Sequence, residues 1–450
     1  MKIGDEFILD IKRLGINGEG IGYYNRLAVF VNNALPKEAH KVRVTRVEEK
    51  MAFAESLEII HKSDSRVEPK CKHYNDCGGC STMHINYDDM CMLKRDMVIE
   101  AISRYTKLNP RSFEIREMVK SDNIYNYRNR SILPVSMNKD HELQVCMIKT
   151  GTNHNVFIED CLVHEKLINE INEKILYFAD ELKISCYNPK IKKGILRFIS
   201  IRVNEKEEAM VTFVCFEKSD LVKELAKKVI SIPEVKSVYQ NFNPSLKQGN
   251  IFSKQSELLE GEDHLMMSLG NIQYKTYPTT FFQLNTNQAR KMNELVLKAC
   301  KLSLKETVVD AYCGVGSISL FLAKMAKKVI GIEYDEDAIE LAKENAKLNK
   351  LKNTEFYSGD SARVFGEIIG KENVDVLVVD PPRTGLDNAF IDKIMDSNIK
   401  KIIYVSCNPA TLAKNLDVLS KKYNINSITP LDMFPFTSNI ESITTLSLKK

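Results

Sequence analysis

Asp310-Ala311-Tyr312-Cys313-Gly314-Val315-Gly316-Ser317 follows a β-branched apolar run at 307–311 and opens a stretch with helical spacing. Two glycines in such a strand-to-helix turn let the backbone come close to a ligand at the helix N-terminus. A dinucleotide fingerprint would place a third glycine at position 319, where this chain has Ser319. The turn therefore suits an adenosine that carries no pyrophosphate.

Working outward, apolar runs at 328–333, 374–380 and 401–407 read as further strands, separated by helical patterns. Regular βα alternation predicts a doubly wound α/β sheet with a mainly parallel core, preceded by a helix over 281–301. Glu333, Asp360 and Asp380 each fall at the C-terminal end of a predicted strand, the edge at which open α/β sheets bind ligands. One such acid is usually a solvated loop residue, but three on one edge form a candidate cofactor site. Glu333 is spaced to accept hydrogen bonds from ribose hydroxyls.

Val405-Ser406-Cys407-Asn408-Pro409 puts a cysteine at a strand end, with a proline that turns the chain away just beyond it. A lone cytosolic cysteine is as often an inert core residue as a nucleophile. The position at the binding edge would face the thiol toward the crevice, and pattern alone leaves the two readings level.

Residues 1–62 alternate apolar and polar in short runs at 6–11, 27–31 and 41–47, broken by Gly15, Asn17, Gly18 and Gly20, which predicts a small β-barrel. Ten basic residues against nine acidic ones in this segment make it no polycation. An amphipathic helix is predicted at 88–105, and mixed short elements follow to about 280. The expected domains are thus 1–62, 63–280 and 281–450, a division that a chain of 450 residues favours over one core.

Hydrophobic residues make up 44% and charged residues 28% of the chain, and no apolar run reaches bilayer length, so a soluble protein is expected. Asp5, Glu6 and Asp10 break any secretory signal, which points to the cytoplasm. A net charge of +4 permits a nucleic-acid partner without requiring one. Eleven cysteines in a cytosolic chain suggest metal binding or catalysis rather than disulfides. Cys71, Cys77 and Cys80 lie in C-x5-C-G-G-C, where two glycines permit a loop that points several thiolates at one centre. Spacing leaves Cys91, Cys146 and Cys161 open as the fourth ligand, and zinc open beside an iron-sulfur cluster. Tyr127-Arg128-Asn129-Arg130 and Leu196-Arg197-Phe198 mix cations and aromatics as RNA-contacting surfaces do.

FFQLN (281–285), DAYCGVGSISL (310–320), VVDPPRTGL (378–386), YVSCNPATLAKNL (404–416) and FPFTSNIE (434–441), in this order, resemble the RNA uracil-C5 methyltransferase family. GINGEGIGYYNRLAVFVNNALP in the first segment resembles a TRAM domain, an oligonucleotide-binding-like barrel. Together with the cysteine segment the resemblance covers nearly the whole chain and points to the ribosomal RNA branch. It implies S-adenosylmethionine as methyl donor, held by Gln283, Tyr312, Gly314, Gly316, Glu333, Asp360 and Asp380. Cys407 is implied as the nucleophile, Glu441 as the proton acceptor, and Cys161 as the fourth ligand of a [4Fe-4S] cluster. RNA contacts are implied for Arg128, Arg130 and Arg197, with Arg383 beside the target base.

The chain departs from the family where Ser438-Asn439-Ile440 replaces a histidine pair before Glu441, and where Ser317 replaces an asparagine. The implied activity is methylation of carbon 5 of a uridine in 23S ribosomal RNA by a monomer. Rivals are a transfer-RNA substrate, an exocyclic-amine methyltransferase, which needs no thiolate, and a non-catalytic RNA-binding factor.

Overall fold

The alternating N-terminal sequence closes into a barrel of five strands, β1 (Glu6–Leu14), β2 (Gly20–Tyr24), β3 (Leu27–Val31), β4 (Ala39–Val47) and β5 (Met51–His61). Their order is β1-β2-β3-β5-β4, and Leu9, Ile11, Val29, Val31 and Val42 fill the interior, as the period of two requires. Gly22 lets β2 lie close against β1, since a Cβ there would stand 2.4 Å from the Asp10 carbonyl oxygen.

The computed structural model describes residues 1–245 and 249–450 and divides into two compact units. One comprises Met1–Tyr74, Gly79–Ser121 and Asp380–Lys450; the other comprises Asn75–Gly78 and Asp122–Val379. This division cuts across the three consecutive segments read from the sequence, because the last stretch of chain gathers with the barrel segment.

In the first unit, helix α1 (Tyr87–Tyr105) starts at Asn86, whose side chain accepts from the Asp88 N–H, and packs on the helix Pro409–Leu419. Strand Lys401–Ser406 pairs antiparallel with Glu441–Leu448, which pairs antiparallel with Tyr423–Leu431. Glu114–Ile115 adds a short parallel strand beside the last.

The second unit holds a seven-stranded sheet from Arg130–Met137 to Ser256–Gly261, backed by helices Lys166–Glu181 and Asp220–Val229. It also holds four parallel strands in the order Thr354–Ser358, Lys328–Glu333, Thr307–Ala311, Val376–Val379. The helix expected over 281–301 begins only at Thr286. Asn285 caps it, Oδ1 accepting from the Gln288 N–H at 3.2 Å, and FFQLN stays non-helical ahead of the cap. Strands expected over 374–380 and 401–407 end at Val379 and Ser406, which leaves Asp380 and Cys407 just beyond the last paired residues. No helix among the described residues is long and apolar enough to cross a membrane.

Candidate active site

Cys407 stands in a one-residue hinge between strand and helix. Ser406 ends the strand, and Asn408 caps the following helix, accepting from the Ala410 N–H at 3.0 Å with Pro409 in the first turn. The thiol is half-buried. Ser406 pairs with Ser442 across the antiparallel ladder, so the next residues outward, Cys407 and Glu441, are cross-strand neighbours. The ladder register thus brings the expected nucleophile and the expected base together from positions far apart in sequence.

The loop after Asp380 is fastened to the same helix. The Arg383 carbonyl accepts from Asn408 Nδ2 and from Thr411 Oγ1, each at 3.1 Å. Asn415 Oδ1 accepts from the Leu386 N–H at 2.9 Å and from the Tyr404 hydroxyl at 2.8 Å. Gly385 makes the turn at φ +79°, and a Cβ there would meet Asn415 Oδ1 at 2.7 Å. Sequence reasoning missed this fastening. Its signal was available: Asn408, Thr411 and Asn415 are polar residues at i, i+3 and i+7, one face of the helix.

Burial raises the Cys407 pKa to about 11, and the charges of Glu441 and Asp380 add to the rise while Arg383 opposes it. Glu441 is itself buried, and burial followed by the Asp380 charge lifts its pKa well above the usual carboxylate range, again against Arg383. Burial alone lifts Asp380 to about 7. Two reluctant acids, one reluctant thiol and one exposed cation therefore share this end of the sheet. Of these groups Asp380 is the one placed to exchange a proton near neutral pH, and shifts of this size mark a site suited to acid-base chemistry.

In the second unit the turn after Thr307–Ala311 carries left-handed backbone at Tyr312, Gly314 and Gly316, with φ of +67°, +54° and +84°. Beneath it the buried Asp310 accepts from Ser319 Oγ, and the Ser317 carbonyl accepts from Asn293 Nδ2 and the Tyr274 hydroxyl, each at 3.0 Å. Glu333 closes the turn: Oε2 accepts from the Gly314 N–H at 3.1 Å, and Oε1 from the Tyr334 and Asp335 N–H groups at 2.7 and 3.2 Å. Three of the roughly four lone-pair directions of that carboxylate are thus taken by these bonds. Asp360 lies two residues beyond Ser358, the strand partner of Glu333, and caps the next helix through the Arg363 N–H. Gln283 sits on the segment that Asn129 fixes, donating from Nδ2 to the Gln283 carbonyl at 2.9 Å and from its N–H to the Leu284 carbonyl at 2.8 Å. Tyr312, Glu333 and Asp360 therefore share the C-terminal edge of the parallel strands.

Other expectations meet different surroundings. Arg130, expected at an RNA-contacting surface, is buried, with its guanidinium donating to the carbonyls of Pro278 and Thr280 and to Ser200 Oγ. Burial, with Arg128 nearby, lowers its pKa to about 10. Its role is to satisfy a buried turn, a need that sequence pattern does not disclose. Arg197 is half-buried, donates to the Asn243 and Ser245 carbonyls at 2.7 and 2.9 Å, and lies over the Tyr187 ring. Arg128 is half-buried and donates to the Arg130 carbonyl at 3.2 Å. Cys71, Cys77, Cys80 and Cys161 are each half-buried, but among the described residues no three His, Cys, Asp or Glu side chains are gathered as a metal site.

Over residues 94–449 the chain matches the tRNA (Uracil-5-)-methyltransferase family, and over residues 2–57 the TRAM domain. It is 39% identical to an RNA methyltransferase of Halalkalibacterium halodurans, covering 99% of this chain and 97% of that protein. It is 35% identical to one of Listeria monocytogenes, over 99% of this chain and 98% of that one. A solved structure, the tRNA (uracil-54, C5)-methyltransferase of Pyrococcus abyssi in complex with S-adenosyl-L-homocysteine, is similar with a TM-score of 0.78 and 29% identity, covering 98% of this chain and 99% of that one. The expected fold class, a methyltransferase α/β fold with a small N-terminal barrel, holds. From residue 94 almost to its end, and with a TRAM barrel ahead, this chain belongs to the RNA uracil-C5 methyltransferase family.

Proposed function

We propose that the protein methylates carbon 5 of a uridine in 23S ribosomal RNA through a covalent bond between Cys407 and carbon 6 of the base. The observation that carries this reading is that Cys407 and Glu441 flank the paired Ser406 and Ser442 and that the Glu441 charge acts on the thiol. Carbon 5 of uracil is too weak a nucleophile to take a methyl group unaided. Cys407 first gives its thiol proton to solvent, and addition of the resulting Sγ thiolate to carbon 6 breaks the carbon 5–carbon 6 π bond and makes carbon 5 enolate-like. Arg383, the cation that opposes the raised pKa values of this cluster, offsets charge developing on the uracil oxygens. S-adenosylmethionine supplies an electrophilic methyl group. Glu441 then takes the carbon 5 proton, the carbon 6–sulfur bond breaks, and the thiolate leaves.

Gln283, Tyr312, Glu333, Asp360 and Asp380 are assigned to the methyl donor, with Gly314 and Gly316 giving its backbone approach. The ligand in the solved relative's crystal and the left-handed turn at 312–316 support this assignment. Arg128, Arg197 and Arg383 are proposed RNA contacts. A [4Fe-4S] cluster on Cys71, Cys77, Cys80 and Cys161, with zinc as the alternative, rests on cysteine spacing and resemblance and not on the fold. Broad visible absorbance of anaerobically purified protein would indicate iron-sulfur. The protein is proposed to act in the cytoplasm as a monomer.

A transfer-RNA substrate is the second reading, favoured by the full-length likeness to the Pyrococcus abyssi enzyme. Mapping 5-methyluridine in both RNAs, in cells with and without the gene, decides between them. Cys407→Ala should abolish methyl transfer and covalent trapping of 5-fluorouridine RNA. Full activity in that variant refutes the mechanism, and RNA binding without methyl transfer by the natural protein leaves only a binding factor.

A further inference from the structure

Glu441 opens its strand directly opposite Leu431, the last residue of the preceding strand, and the chain between them, 432–440, is held from outside the hairpin. Lys94, on the buried face of α1, donates to Asp432 Oδ1 at 2.6 Å and to the Phe434 carbonyl at 3.3 Å. Neither side chain of this ion pair is more than 1% exposed. Ser81 and Thr82, the residues directly after Cys80, donate their N–H groups at 2.9 and 3.0 Å to one acceptor, the Phe436 carbonyl. Phe436 is held at φ +64°, a left-handed conformation that a residue with a bulky side chain keeps only under outside constraint.

A buried ion pair is a poor device for stability alone, since an apolar pair of similar volume often does as well or better. Its location suggests another use. Asp432 is the neighbour of Leu431, and Leu431 is the cross-strand partner of the carboxylate. A displacement at Asp432 is therefore passed to Glu441 through one ladder rung, while Cys407 lies one rung further on, beside the paired Ser406 and Ser442, and is disturbed less.

We propose that Lys94 is a positioning residue for proton abstraction, acting through Asp432 and the Phe434 carbonyl to hold the approach to Glu441. The backbone bonds from Ser81 and Thr82 give the cysteine segment the same task at Phe436. This inference rests on the reading of Glu441 as the base.

The test separates the two halves of the reaction. Trapping by 5-fluorouridine RNA needs the thiol and the methyl donor but not the base, because fluorine cannot leave as a proton does. Tritium release from RNA carrying carbon 5-tritiated uridine needs the base. In the double variant Lys94→Met/Asp432→Leu, which removes both buried charges, release should slow by about 10- to 100-fold while trapping stays within about 3-fold of the natural protein. Release at the natural rate in a folded double variant overturns the proposal, as does a parallel loss of trapping and release. Should the natural protein itself neither trap nor release, the functional reading fails. The brace is then judged by amide exchange at Thr437 and Asn439 in the same variant, where faster exchange supports it and unchanged protection overturns it.

Discussion

Glu441→Gln should make Cys407 more reactive and the enzyme less active. The thiol sits at about 11, so at about pH 8 roughly one molecule in a thousand carries a thiolate, against about one in four for an ordinary thiol near 8.5. A thiolate of higher pKa is intrinsically the better nucleophile, with a slope of about 0.4–0.5, which returns roughly a factor of ten. Iodoacetamide should therefore alkylate Cys407 about 20-fold more slowly than an unperturbed thiol near pH 8, before any hindrance from its half-buried position. The Glu441 charge is the largest electrostatic contribution to that rise. Each unit by which its removal lowers the thiol pKa should speed alkylation about 3-fold. The same variant lacks the base, so methylated RNA should accumulate attached to Cys407. Peptide mass spectrometry of alkylated Cys407 between about pH 7 and 10, beside gel analysis of the adduct, reads both effects. Slower alkylation in Glu441→Gln, or undiminished turnover, would refute the reasoning.

Asp380 keeps its proton to about pH 7 when folded, while an ordinary aspartate loses it near 3.8. Its folded pKa is the raised one, so the protein loses stability as pH rises from about 4 to about 7, and Asp380→Asn should raise the melting temperature at pH 8 but not at pH 4. Asn415→Leu strands the buried Leu386 N–H and removes the Tyr404 hydroxyl's bond to Asn415 Oδ1, and should cost about 1–3 kcal/mol in denaturant unfolding. Arg383→Ala removes the cation that lowers both catalytic pKa values, so the pH at which activity is half-maximal should move upward, as a pH–rate profile would show. Arg197→Ala should flatten the salt dependence of RNA binding if its cation meets phosphate, and leave the slope unchanged if its two carbonyl bonds are its whole role.

The elements that sequence made legible are those fixed by local chemistry. The turn at Gly314 and Gly316, the barrel strands and the acids at strand ends follow from glycine freedom and a period of two or 3.6, and the fold carries all of them. Arg130 and Arg202 were not legible in this way. Both are buried beside the 278–280 turn and donate to its Thr280 carbonyl, an arrangement that depends on which distant loop lands above a strand. A cation next to aromatics looks the same in sequence whether it serves RNA or a buried carbonyl. The helix before the glycine turn was placed too early for a related reason. Gln283 and Leu284 look helical by composition, but Asn129 claims their carbonyls and Asn285 supplies the cap.

The departure at Ser438-Asn439-Ile440 shows how a motif can change while the geometry it serves is kept. Where the family resemblance calls for a histidine pair, the approach to Glu441 is instead tied by short bonds of its own. Thr437 Oγ1 donates to the Phe434 carbonyl at 2.8 Å and accepts from the Asn439 N–H at 3.2 Å, while the Thr437 N–H reaches the same Phe434 carbonyl at 3.2 Å. That carbonyl also receives Lys94, and the next turn receives Ser81 and Thr82. The approach to Glu441 is therefore held through backbone acceptors whose donors come from three places in the chain. Replacing imidazoles by a hydroxyl and two amides removes a group that protonates around pH 6.5 and leaves two carboxylates of raised pKa as the acids at this end of the sheet. The pH dependence of proton abstraction should accordingly be that of Glu441 and Asp380, a coupled carboxylate pair, and not that of a histidine.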